Sequence, residues 1–73
     1  MNETVLSHRE RIGEKIKELR TKKGLTVREL SDICGVGYQN ITKIENSKYN
    51  VSIDILSKVL SSLDARLEIR PTK

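Results

Sequence analysis

Apolar residues recur along this chain at two spacings, and the change from one to the other divides it. Ile12, Ile16 and Leu19 stand at helical intervals with Lys, Arg and Glu between them, one apolar stripe on a solvated helix. Ser7 and Glu10 have the spacing of a capping box, and Gly24 follows a turn rich in Lys and Arg, so the pattern predicts a helix over 7–23. A sharper start comes next. Thr26 takes the N-cap position with Glu29 three residues on, and Leu25 and Leu30 flank them as a hydrophobic staple. The predicted helix covers 26–34, with Leu30, Ile33 and Cys34 as its inner face, Gly35 as a left-handed C-cap and Val36 packing back. A third helix is expected over 37–46, with Ile41 and Ile44 inward, and a fourth over 52–63. Ser52 caps that last helix and Asp54 lies in its first turn; Leu56, Val59, Leu60 and Leu63 form its stripe, extended by Ile53. Beyond it the period falls to two. Ala65, Leu67 and Ile69 alternate with Arg66, Glu68 and Arg70 up to Pro71, which predicts a strand over 64–70. A lone strand is not stable, and no other segment alternates, so a second copy of the chain is its expected partner.

The third helix is the odd one. Between Gly37 and Glu45 only Ile41 and Ile44 serve a core, while Tyr38, Gln39, Asn40, Thr42 and Lys43 offer hydrogen-bonding groups. Two short helices joined by a tight Gly-Val-Gly turn read as a helix-turn-helix, whose second helix is polar because it lies in the major groove of DNA.

Composition narrows the alternatives. A chain of 73 residues makes one small domain with a thin core. No apolar run approaches the roughly 18 residues of a membrane span. The first residues are polar, without the apolar stretch of a signal peptide, and Cys34 has no second cysteine to pair with. Both features lead us to expect a cytoplasmic protein. The net charge is +4, and the excess sits in residues 1–24, with seven Lys or Arg against four Glu. This favours a polyanionic partner only weakly. Two tyrosines are too few aromatics for a single-strand binder that stacks bases. One His and one Cys allow no zinc finger, and no paired carboxylates or phosphate loop suggest catalysis. We therefore expect no enzyme activity, no metal, no cofactor, no small-molecule ligand and no membrane partner. Cys34 reads as a small buried hydrophobe, His8 and Lys15, Lys17, Lys22 and Lys23 as solvated groups. For Arg9 and Arg11, and for Tyr49 (stacked on sugar or packed under its loop), the sequence leaves the choice open.

Residues 12–63 resemble the Cro/C1-type helix-turn-helix family, also called the Xre family. The stretches that carry the likeness are LRTKKGLTVREL (19–30), GV (35–36), ITKIENSK (41–48) and SIDILSKVLSSL (52–63). The resemblance implies an all-α, lambda-repressor-like bundle of four to five short helices. The C-terminal strand is similar to that of HipB-like antitoxin repressors, in which such strands pair across a dimer. By the same resemblance, base edges are read by Tyr38, Gln39 and Lys43, of which Gln39 suits adenine and Lys43 guanine. Backbone contacts fall to Asn40, Thr42, Asn46, Lys48 and Asn50, and Arg20 and Glu45 form a structural salt bridge. The chain departs from the family pattern at Val27 (usually Gln), Gly37 (Ser or Thr), Ser47 (Gly) and Val51 (Pro). Val27 cannot bond a phosphate as Gln does, and Arg28 beside it is expected to do so instead.

These readings combine into a sequence-specific regulator of transcription, a repressor that binds duplex DNA as a homodimer on an inverted repeat. The alternative is an antitoxin that binds a protein toxin and autoregulates its operon. A restriction-modification controller or phage regulator would share the chemistry. Dimerisation is assigned to Ala65, Arg66, Leu67, Glu68 and Ile69. In a two-fold antiparallel pair centred on Leu67, Arg66 faces the second copy's Glu68 and Ala65 faces its Ile69, so charges and apolar groups match; a centre at Glu68 would oppose like charges.

Overall fold

The computed structural model describes the backbone of residues 3–48 and 50–71, and side chains within those spans from residue 8 onward. Four helices follow in order: α1 Glu3–Lys22, α2 Val27–Cys34, α3 Tyr38–Glu45 and α4 Ile53–Ser62. The fold is an all-α bundle. Helix α1 starts earlier than the capping-box spacing of Ser7 and Glu10 indicates, because both residues lie inside it and Glu3 opens it. The side chains of Ser7 and Tyr49 lie outside the described residues.

Each later boundary has a physical cause. Gly24 (φ 71°) closes α1 in the left-handed region, and the Leu25 N–H donates back to the Arg20 carbonyl. Thr26 caps α2 from both sides: its hydroxyl accepts from the Glu29 N–H at 3.1 Å, and the Glu29 carboxylate accepts from the Thr26 N–H at 2.8 Å. Gly35 ends α2 at φ 75°, and the Ser31 hydroxyl donates to the Val36 carbonyl at 2.7 Å, which tightens the turn into α3. Ser52 caps α4 by accepting from the Ile55 N–H.

The core is built from all four helices and the turn: Ile16, Leu30, Val36, Ile41, Ile44, Leu56, Val59 and Leu63 are buried. Helix α1 packs on α3, and α2 packs on both α3 and α4. Two expected core residues lie outside. Ile33 is exposed because Val27, Leu30 and Cys34 already define the inner side of α2, and Ile33 falls on its other flank. Ile53 is exposed as well, since it opens α4 one turn beyond the layer that Leu56 and Val59 reach.

Gly13 is buried in the middle of α1. A Cβ there would lie 2.5 Å from the Ile44 carbonyl oxygen and 2.9 Å from that of Glu45. The end of α3 therefore sits against bare α1 backbone.

After α4 the chain turns at Asp64 (φ 57°), whose carboxylate meets the Lys23 ammonium at 2.7 Å. That cation holds the Asp64 carboxyl below the usual carboxylate range. Residues 65–71 form no helix and pair with no strand among the described residues. Arg66 and Arg70 both donate to Glu68, at 3.0 and 3.1 Å, so residues two apart share one side, the placement an extended backbone gives.

Candidate nucleic-acid interface

Helix α3 is held by its last turn and left open at its first. Ile41 and Ile44 turn one side inward. Gln39 and Lys43, four residues apart, share the opposite side and are exposed. Among the described residues, neither side chain hydrogen-bonds within the chain. Tyr38 is exposed at the first position of the helix, next to Gly37, which caps α3 without a side chain. Asn40 is half-buried, and the Thr42 hydroxyl donates to the Tyr38 carbonyl at 3.0 Å. Asn46 is the C-cap of α3 and is exposed, as are Lys48 and Asn50 in the segment that follows.

Arg28 projects from the first turn of α2 toward the start of α3. Its guanidinium carbon lies 4.2 Å from the centroid of the Tyr38 ring, a cation–π contact that ties the first turns of the two helices together. A guanidinium stacked in this way keeps its edge N–H groups free for an anion. The arrangement makes Arg28, Tyr38, Gln39 and Lys43 one continuous polar and cationic surface on the open side of the motif.

The other end of α3 is clamped. The Arg20 guanidinium donates to both Glu45 carboxylate oxygens, Nε at 2.6 Å and a terminal nitrogen at 3.0 Å, and to the Leu25 carbonyl at 2.7 Å. The side chains are only 11% and 6% exposed. The Glu45 carboxylate raises the Arg20 pKa further above its already high value, against the opposing effect of burial. One residue of α1 thus binds the end of α3 and the residue before the α2 cap.

Ser47 supplies the left-handed residue after α3 (φ 62°). Its N–H donates to Ile44 and the next N–H, of Lys48, to Lys43, the two bonds of a Schellman motif. A side chain in this region is strained, and Ser47→Gly is expected to raise stability by about 0.5–1 kcal/mol, read as a higher midpoint in urea.

Two of these features escaped the sequence. The stacking of Arg28 on Tyr38 depends on the angle between helices and leaves no local signature. The close approach at Gly13 did leave one: a glycine inside a helix costs about 1 kcal/mol relative to Ala, so its presence signals contact.

A short capped helix, a tight turn, and a second helix with a bare polar face make a helix-turn-helix. Residues 16–69 match the helix-turn-helix family, and the chain belongs to it. It is 37% identical over 54 residues to an uncharacterised HTH-type transcriptional regulator of Archaeoglobus fulgidus, covering 74% of this chain and 77% of that protein. It is 41% identical over 54 residues to the HTH-type transcriptional regulator SinR of Bacillus subtilis, covering 73% of this chain and 49% of SinR. The family is one of DNA-binding transcription regulators of the Cro/C1 type. No helix among the described residues is long and apolar enough to cross a membrane.

Proposed function

We propose that the protein is a transcriptional repressor that binds an inverted-repeat operator as a homodimer, with α3 in the major groove. The observation that carries this is the open side of α3: Gln39 and Lys43 are exposed together and bond to nothing in the described chain. Gln39 pairs with adenine through its amide, Lys43 donates to guanine N7 and O6, and Tyr38 lies against a thymine methyl or a phosphate. Arg28, Asn40, Thr42, Asn46, Lys48 and Asn50 hold the sugar-phosphate backbone on either side. They set orientation and carry no sequence information. Two such helices related by a two-fold axis enter grooves about 34–36 Å apart on one face of the duplex. Repression then follows from occupancy of the promoter. The relatives named as transcriptional regulators support the assignment to transcription.

Selection from random duplex DNA tests the reading, with the Gln39→Ala, Lys43→Ala double variant in parallel. The expected result is an inverted repeat that the variant no longer enriches. No enriched sequence, or the same one from the variant, removes α3 from base readout and turns the function toward a protein partner, such as the toxin of an antitoxin pair. Lys48→Ala separates the two kinds of contact. It is expected to weaken all sequences alike and to lower the slope of log K against log salt by about 1.

A further inference from the structure

The tail does not lie in a groove; it forms the wall between two. Ala65, Arg66 and Leu67 pass over Leu60, with α1 on one side and α4 on the other. The α1 side is lined by Ile12 and Leu19 but also by Arg11 and Lys15. The α4 side is a groove of about 370 Å³ whose helix wall is Ile53, Leu56, Ser57 and Ser61, all uncharged. At its mouth Ile53 is 66% exposed, and at the end of the tail Ile69 is 92% exposed. They are the two most exposed large apolar side chains among the described residues.

Neither isoleucine can cover the other within one chain, because Ile69 continues past the α1 side, beside His8 and Arg11. A second copy can bring them together. In an antiparallel pair centred on Leu67, paired residue numbers have a constant sum, so the incoming Ile69 stands opposite Ala65, the residue that borders the α4 groove. The same register sets the incoming Arg66 against Glu68 and the incoming Arg70 against Asp64, which is exposed on the turn after α4. Pairing on the α1 side would instead carry the arginines of the incoming tail past Arg11 and Lys15. Like charges disfavour that edge, and the uncharged α4 wall does not.

We infer that the groove between α4 and the tail is the seat for Ile69 of a second copy, packed on Ile53, so that two tails and two α4 helices form the dimer interface. This rests on the homodimer proposed above. It adds Ile53, a residue of the helical body, to an interface otherwise made only of tail. The interface then fixes how the two bodies, and the α3 helix on each, face one another.

Sedimentation equilibrium on the full chain tests it, with Ile53→Glu, Ile69→Lys and the double variant. Both sites are exposed, so the variants should keep the wild-type helical circular dichroism. Each single change is expected to raise the dimer dissociation constant tenfold or more, roughly what losing a buried isoleucine contact costs. The double variant should recover most of that loss, because each new carboxylate then meets a new ammonium across the interface. A wild-type chain that stays monomeric at high micromolar concentration overturns the homodimer, and this inference with it. A dimer weakened by Ile69→Lys but indifferent to Ile53→Glu, or a double variant as weak as the two single effects combined, overturns the α4 seat while leaving the homodimer standing.

Discussion

Arg20→Ala is expected to lower the unfolding free energy by about 3–5 kcal/mol, the usual result of stranding one partner of a buried ion pair. The Glu45 carboxylate, 6% exposed, would keep no cation, and the Leu25 carbonyl would lose its donor. Folded domains hold about 0.05–0.15 kcal/mol per residue, so a chain of 73 residues has roughly 4–11 kcal/mol in all. The variant should therefore be partly or wholly unfolded at room temperature by circular dichroism. The pair as a whole is worth less than either half. Arg20→Met with Glu45→Leu removes both charges and should recover most of the loss, since buried pairs often trade evenly with apolar residues of similar size. A urea titration of both singles and the double gives the coupling directly. If Arg20→Ala costs under about 1 kcal/mol, the pair behaves as a surface contact and the clamp is not what holds α3.

The second large effect is expected at Gly13. Alanine there gains up to about 1 kcal/mol of helix propensity, so an exposed glycine would be improved by the change. Here the new methyl would meet two backbone oxygens, at 2.5 and 2.9 Å. Neither is the end of a side chain that can swing away, so α1 and the last turn of α3 must separate. Overpacking of this kind costs about 1–3 kcal/mol, and contact with backbone on both sides places Gly13→Ala toward the upper end. The net loss should be about 1–2 kcal/mol, and Gly13→Val should lose more. Thermal unfolding of the two variants checks the order. A stability equal to or above wild type for Gly13→Ala would mean that the helices part at little cost.

Much of the fold was legible because its signals are local. The Thr26–Glu29 box, the Ser52 cap and the turn glycines Gly24 and Gly35 act within four or five residues of themselves, and the structure places each in the role its spacing indicates. The misses at Ile33 and Ile53 share a cause. Helical periodicity assigns a residue to a broad face, and only the positions of the neighbouring helices decide where that face ends. The start of α1 was missed because Ser-x-x-Glu also fits the solvated interior of a helix. On the candidate interface, the polarity of α3 could be read directly. The approach of Arg28 to Tyr38 could not, because it depends on the angle at which α2 and α3 cross. The period-two pattern of the tail is a property of one chain, whereas a strand needs a second.

The clamping of α3 at one end only has a consequence for how such a protein can change. Its last turn is fixed by Glu45, by bare α1 backbone and by the Ser47 turn, and its inward side by Ile41 and Ile44. The outward positions, Gln39 and Lys43, support nothing else in the described chain. Substitutions there leave the scaffold energetically indifferent, so under the proposed base readout the address a copy of this gene recognises can drift after duplication without a compensating repair elsewhere.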